Sequence, residues 1–575
     1  MPSFCHTIRS MLHLAPRAKV LLSLLPISTI ILLFLSKFTL SPKHITNTNI
    51  PLQFHIHKHL QVAHSICEGT LYPDLCVSTL SVFPELTTKT LPQIISSTIN
   101  HTVHFVRSSA SNCTNLKKRL RKLKPIERRA LDDCIELFEE TVAGLHSCIP
   151  DLSNTNSSTK YAHLQTVLSA AITNQYTCLD GFAYSDGKVR KLIEKSLYKI
   201  SKLVSNSLAM VKKIKRKRKE QKKKKRGEVF PGYGNMVDGY PRWVSPKDRR
   251  LLQTTINQTK YDLMVAKDGS GNFTNISAAV DAAPNSTTAR RYIIYVKTGA
   301  YFENVEVVRK KTMIMFVGDG IGKTVVKASR NVVDGWTTFR SATVAVVGNG
   351  FIARDITFEN AAGPSKHQAV ALRSGSDFSA FYRCSFIGYQ DTLYVHSLRQ
   401  FYKECDIYGT VDFIFGNAAV VFQNCSLYAR KPDPNQKNIF TAQGREDPNQ
   451  NTGISIINSK VTAAADLIPV KSTFKTYLGR PWKNYSRTVF MRSLIDDIVD
   501  PAGWLEWDGD FALSTLYYGE YLNRGLGSNT TKRVKWPGYR VINSSTEASQ
   551  FTVENFIQGN DWLPAANIPY VAGLS

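Results

Sequence analysis

The chain has 575 residues, 43% of them hydrophobic and 21% charged, which is the composition of globular protein with length for two or more cores. Its formal net charge is +28, yet Gln253 to Ser575 carries only 34 basic against 28 acidic residues. Half of the remaining excess sits in one run, Lys212 to Arg226, where twelve basic residues face the single acid Glu220. A run this dense is a solvated linker, and a charge so confined argues against nucleic acid as the partner.

Residues 1–40 read as a targeting segment. Val20 to Leu35 is almost wholly apolar and follows Arg9, Arg17 and Lys19. A basic flank before an apolar stretch is the pattern of secretory targeting. No clean small-residue cleavage site follows, so the expectation is a signal anchor retained, rather than a signal peptide removed. The stretch spans a membrane only if extended to Leu40 across Lys37. The membrane would then be met only through this segment, with the basic flank left in the cytoplasm. Ten cysteines and the glycosylation sequons at Asn100, Asn156, Asn272, Asn424 and Asn529 fit the same oxidising route.

Residues 60–210 read as helical. Apolar positions recur at helical spacing from Ala130 to Leu145, from Tyr161 to Leu179 and from Val189 to Met210, with Gly and Pro scarce. The expected fold is an up-and-down four-helix bundle. Cys67 and Cys76 bracket a short turn, and Cys134 and Cys178 lie on separate predicted helices that they could staple. Spacing alone does not give their connectivity. A linker at 211–252 follows, with the basic run, the breaker-rich stretch Phe230 to Pro241, and Arg249 and Arg250 before Leu251 and Leu252. A dibasic pair in an exposed linker is where a processing protease would cut.

From 253 to 575 the pattern is short β-rich runs punctuated by Gly, Asn and Asp, such as Tyr292 to Val296 and Ala342 to Val347. Long helical patterns are nearly absent, which argues against a doubly wound α/β sheet. Scarce Asn-Gly hairpin signals argue against an antiparallel sandwich. Cys384, Cys405 and Cys425 recur at 21 and 20 residues, each opening a Cys-polar-apolar run after an aromatic (Tyr382, Tyr402, Phe422). A period near 20 with one β unit per repeat predicts a solenoid, here a right-handed parallel β-helix.

That period places Asp391 and Asp412, 21 residues apart, one above the other on coils about 4.8 Å apart. Two close carboxyls drive their pKa values apart, so one holds a proton while the other stays ionised. A hydrolase needs that division. Gln390 precedes Asp391, and counting back one coil reaches Gln368. Side-chain amides donate to a developing oxyanion without adding charge. Arg480 could pair with one carboxylate through its two-armed fork.

Five blocks then run in a recognisable order: Gly299-Ala-Tyr-Phe-Glu303, Gln368-Ala-Val-Ala-Leu-Arg373, Gly388-Tyr-Gln-Asp-Thr-Leu-Tyr394, Asp412-Phe-Ile-Phe-Gly416 and Leu478-Gly-Arg-Pro-Trp482. Through them residues 253–575 resemble the plant pectin methylesterases, the pectinesterase family. The front region, through Cys67 and Cys76, Ala130-Leu-Asp-Asp-Cys134 and Ser169 to Cys178, resembles that family's inhibitor-like pro-domain.

The resemblance implies a carboxylic ester hydrolase that removes methyl groups from pectin, without metal or other cofactor, secreted to the cell wall. It implies Asp412 as nucleophile and Asp391 as proton donor and acceptor. Gln390 and Gln368 would hold the oxyanion, and Arg480 would orient Asp412 and touch substrate. Thr338 and Trp482 would be further substrate contacts. It pairs Cys405 with Cys425, Cys67 with Cys76 and Cys134 with Cys178, and leaves Cys384 a free buried thiol. Cys113 and Cys148 are extra to that pattern. The implied partners are methyl-esterified pectin, the chain's own pro-domain, free-standing inhibitor proteins and a processing protease. Two other readings stand beside this one. A β-helix lyase or glycosidase would also use paired acids, but the glutamines favour an oxyanion and no acidic calcium cluster is evident. A non-catalytic inhibitor or binding protein would place the function in the helices.

Overall fold

The computed structural model describes residues 50–120, 122–153, 158–223, 236–237, 240–241, 260–286 and 290–574. The targeting segment at 1–40 and the cut expected near Arg249–Leu252 lie outside them. Among the described residues no helix is long and apolar enough to cross a membrane.

Six helices come first: α1 (Ile50–Cys67), α2 (Pro73–Leu80), α3 (Leu91–Arg119), α4 (Pro125–Ser153), α5 (Ser158–Asp180) and α6 (Lys188–Lys223). The four long ones form a ring in which α3 packs on α4 and α6, and α5 on α4 and α6. The apolar stripe drives this, as α3 shows by burying Ile95, Ile99, Val103 and Val106 on one face. Its start is fixed locally. The Thr90 N–H donates to Gln93 Oε1 at 2.8 Å, and proline occupies the first turn. Disulfides join Cys67 to Cys76 and Cys134 to Cys178, as the resemblance implied. The second closes 44 residues between α4 and α5, a constraint on the unfolded chain worth on the order of 4 kcal/mol.

The linker expected from 211 begins instead as helix, because α6 runs on to Lys223 through most of the basic run. Val211 and Ile214 still pack inward. Lys212 Nζ donates to Pro448 O and Asn449 Oδ1, both at 3.1 Å, so a basic side chain at the edge of the run is held by the second domain.

That domain is a parallel β-helix. A short helix, α7 (Ile276–Ala282), lies near its first strands. Asn275 caps α7, and Glu303 accepts from the N–H groups of Ile276 and Ser277 at 2.7 and 2.9 Å. Three parallel sheets of eleven, eight and seven strands follow one another round the coil. The seven-stranded sheet carries the site and consists of β1 (Val305–Val307), β2 (Val344–Val346), β3 (Leu372–Ser374), β4 (Leu393–Val395), β5 (Ile414–Gly416), β6 (Asn438–Gln443) and β7 (Thr476–Pro481). Leu372, Leu393 and Ile414 are register partners, which confirms a 21-residue coil here.

Like residues stack on like. Phe381, Tyr402 and Phe422 form a ladder with ring centroids 4.7 and 4.6 Å apart. The ladder thus uses Phe381 where the sequence pattern pointed to Tyr382. Cys384, Cys405 and Cys425 are all buried and all free thiols, so the expected Cys405–Cys425 disulfide is absent. In-register parallel strands carry successive Cβ atoms side by side about 4.8 Å apart, whereas a disulfide draws them to about 3.8 Å. Burial instead pushes the Cys405 and Cys425 thiols well above their usual range. Cys113 and Cys148 are likewise buried and free.

Candidate active site

The two aspartates sit at the turns that lead into β4 and β5. Both adopt left-handed backbone, with φ of 64° at Asp391 and 51° at Asp412. Aspartate tolerates this region better than most residues. The turn also decides which phenylalanine does what. Phe413 falls inside the coil with the core, while Phe415 points outward and stacks on Tyr394 at 4.2 Å. The Asp391 N–H donates to Val411 O at 3.0 Å, and Leu393 N–H to Phe413 O at 2.8 Å. The strand register thus lays Asp391 over Asp412, one strand spacing apart.

Arg480 ends in the same place from two coils further on. It follows Gly479 in β7, where Arg480 pairs in register with Ala442 of β6, which itself pairs with Phe415 of β5. Its Nε and Nη2 donate to the two oxygens of Asp412 at 2.8 and 2.6 Å, and its guanidinium lies 4.4 Å from the centre of the Trp507 ring. A planar fork on a carboxylate fixes both position and charge. Asp391 has no such partner. Burial first, then the charge of Asp412, push its carboxyl well above the usual range, with Arg480 opposing. Of the two, Asp391 is the one pushed toward its protonated form.

Thr338, Gln368, Gln390, Asp391, Asp412, Arg480 and Trp482 all line one cavity of about 310 Å³. One expectation shifts in detail. Gln390 O accepts from the N–H of Ala369, so Ala369 and not Gln368 is its strict neighbour on the previous coil, with Gln368 one residue ahead. Thr338 lies in a turn. Gln368 Oε1 is buried without a hydrogen-bond partner. Trp482 lies edge-on to Phe415 at 6.0 Å, over Gly444, where an added Cβ would stand 2.7 Å from the indole. Among the described residues no three His, Cys, Asp or Glu side chains converge to hold a metal ion.

Several wall residues escaped the sequence reading. Trp507 belongs to no repeat, and its only signal is an aromatic inside the acidic run Glu506 to Asp510. Thr177, Asp180 and Tyr184 reach the cavity from the helical domain. That domain is seated along the sheet. The fully buried Asp133 of α4 accepts from Arg340 Nε and Thr337 Oγ1, both at 2.6 Å. Burial pushes its carboxyl up to about 6, with Arg340 and Thr337 opposing. Asn417 Nδ2 donates to Thr173 Oγ1 at 2.8 Å, and Gln450 Nε2 to Ser169 O at 2.9 Å. Phe339, Tyr394 and Phe415 pack into the same apolar cluster as the helices.

A stacked carboxylate pair with an arginine fork, set in the wall of a parallel β-helix, is an arrangement suited to hydrolysis. The pectinesterase family model matches residues 262–560, and that of the plant invertase/pectin methylesterase inhibitors matches residues 61–210. A probable pectinesterase/pectinesterase inhibitor of Arabidopsis thaliana is 53% identical over 85% of this chain and 91% of its own. Pectinesterase 1 of Citrus sinensis is 52% identical over 90% and 89%. The solved pectin methylesterase from carrot is 60% identical, covers 56% of this chain and 99% of its own, and superposes with a TM-score of 0.55. The chain belongs to the pectinesterase family, which are carboxylic ester hydrolases, and carries an inhibitor-like helical domain ahead of the enzyme. Neither a lyase or glycosidase nor a pure binding protein fits that membership.

Proposed function

We propose that the enzyme hydrolyses methyl esters of homogalacturonan through Asp412 as nucleophile and Asp391 as acid and base. The observation that carries this is the asymmetry of the stacked pair: Arg480 forks onto Asp412, while Asp391 is buried, unforked and raised. An Asp412 oxygen attacks the ester carbonyl carbon, and the carbonyl oxygen gathers the charge. Gln390 and Gln368 supply amide donors to that oxyanion. The C–O bond to the methoxy group breaks, Asp391 gives up its proton, and methanol leaves. The resulting acyl-Asp412 is an anhydride, which water opens readily. Asp391, now ionised, takes a proton from that water as it attacks. The galacturonate carboxylate departs and Asp412 is restored. Trp482 and Thr338 offer the sugar chain an aromatic face and a hydroxyl.

The helical domain masks this groove in the full chain, and cutting in the 211–252 linker by a processing protease exposes it. The contacts of Asp133, Thr173 and Ser169 across the groove support this. The enzyme then acts outside the cell, in the wall, after export directed by residues 1–40. Free inhibitor proteins would occupy the same face.

The deciding experiment is methanol release from methyl-esterified pectin by residues 253–575, beside Asp412→Asn in the same fragment. The expected result is release by the wild type and a loss of about 10⁴-fold in the variant. Release by both would remove Asp412 as nucleophile. Equal activity of the full chain and the fragment would remove the masking role.

A further inference from the structure

Arg487 opens β8 (Arg487–Met491) of the eleven-stranded sheet and has no part in the mechanism above. Its backbone N–H donates to Gln443 Oε1 at 2.8 Å, and its Nε to Thr452 O at 2.7 Å. The guanidinium is closely seated: an added Cβ at Gly453 would stand 2.9 Å from Nε, and the centre of the Phe556 ring lies 5.3 Å away. Among the described residues no carboxylate pairs with it, and its two Nη groups have no hydrogen-bond partner. The neighbouring Arg445 differs, since its guanidinium is spent on the carbonyls of Gln450, Tyr485 and Pro448. Burial first, then the charge of Arg445, pull the Arg487 pKa well below its ordinary range. Arg487 lines a second cavity, of about 400 Å³, which shares no residue with the catalytic one and takes none from the helical domain. Ser544, Thr546 and Gln550, in and beside the short helix α8 (Ser545–Ser549), bring two hydroxyls and an amide to its wall. Tyr517, the register partner of Arg487 on β9 (Tyr517–Tyr521), and Glu547 complete it. Glu547 is the one acid there, and its Oε1 accepts from Tyr517 Oη at 2.6 Å with Arg540 Nη1 at 4.0 Å. The local balance is two guanidiniums to one carboxylate, and that carboxylate is engaged elsewhere.

We propose that Arg487 anchors a second binding site, outside the catalytic groove, for a small oxyanion. A uronate carboxylate and a phosphate both offer the paired oxygens that a guanidinium fork takes. The free Nη groups donate to the anion, and the Ser544 and Thr546 hydroxyls and the Gln550 amide close round it. A half-buried cation without a counter-charge is costly, and the bound anion removes that cost. The site therefore binds the folded chain selectively and stabilises it. A uronate held there ties the enzyme to acidic polymer while the groove stays open to an ester. The site itself does not depend on the esterase reading.

The carrot enzyme is a solved chain that aligns over 99% of its length to 56% of this one, so the β-helix folds without the helices. The test therefore uses residues 253–575, which also leaves out the basic run that would attract any anion. Saturation-transfer NMR titrates wild type, Arg487→Gln and Glu547→Gln with monomeric galacturonate, and with galactose as the neutral control. Line broadening of the ³¹P signal does the same for inorganic phosphate. Arg487→Gln weakens anion binding by about tenfold or more. Glu547→Gln removes the one repelling charge and tightens binding by about twofold or more, a gain that a damaged fold would not give. Galactose shows no dependence on either residue. Whichever anion binds the wild type more tightly, galacturonate or phosphate, names the source of the oxyanion. Affinities for both anions within about twofold of wild type in both variants overturn the proposal, as does the absence of binding by either anion to the wild type, and Arg487 is then a structural residue of the coil.

Discussion

Two buried aspartate–arginine pairs do different work in this molecule. Asp133 and Arg340 meet across the seam between the helices and the β-helix, and Asp412 and Arg480 meet inside the groove. The contacts look alike, since each arginine brings Nε to a carboxylate oxygen at 2.6 or 2.8 Å. Their surroundings differ. Arg340 divides itself between Asp133 and Glu136, so its charge ties two residues of α4 to one point on the β-helix. Arg480 gives both arms to Asp412 alone and is roofed by Trp507. The first pair locates a domain, and the second locates one carboxylate beside a twin whose pKa is raised. The chemistry of a salt bridge is therefore read from what each partner does with its remaining donors.

The sharpest way to break the comparison is to remove one member of each pair in turn. Arg480→Ala in residues 253–575 leaves Asp412 unaimed beside Asp391, and the pair then competes for one proton. The expected outcome is a fall in kcat of about 10³-fold in methanol release, with KM changed less. A fall below tenfold would mean that Asp412 is oriented by something other than this fork. Asp133→Ala in the full chain acts on the other pair. It leaves Arg340 with Glu136 but without its buried partner, and losing such a charged hydrogen-bond partner costs about 2 kcal/mol, roughly 30-fold in docking. Methanol release by the full chain should rise toward that of the fragment. No change would show that the masking depends on the apolar contacts around Phe339 and not on this pair.

Much of the catalytic half was legible because a solenoid writes its geometry as a period. The 21-residue spacing alone stacked Asp391 on Asp412, and the register of Leu393 on Ile414 bears it out. The same logic slipped by one residue where the coil is not strictly periodic, at Gln368 and at Tyr382. It failed for the Cys405–Cys425 bond: the coil stacks the two cysteines, yet both are free, buried thiols. Trp507 left no periodic trace, because it comes from a loop at the groove's rim. The seam was beyond reach for another reason. Asp133 sits in a run, Leu131-Asp-Asp-Cys134, that reads equally well as helix surface, and only the docked partner makes it buried.

The smallest effect tests the twin itself. Asp391 has a raised pKa in the fold, while in the unfolded chain an aspartate titrates near 3.9. Above about pH 4 the unfolded state sheds this proton and the native state keeps it. The native state then binds more protons, so stability falls as pH rises, by about 1.4 kcal/mol per unit for one group, until Asp391 itself ionises. Asp391→Asn removes that slope. In urea unfolding of residues 253–575, the stability of the variant relative to wild type should therefore grow as pH rises above about 4, by at most about 1.4 kcal/mol per unit, and stop growing once Asp391 ionises. The same titration sets the alkaline limb of the wild-type rate, where kcat/KM drops as Asp391 loses the proton it owes to methoxide. A variant whose advantage is flat with pH would place the shared proton elsewhere, and Asp391 would then be ionised beside Asp412 with only Arg480 between the two charges.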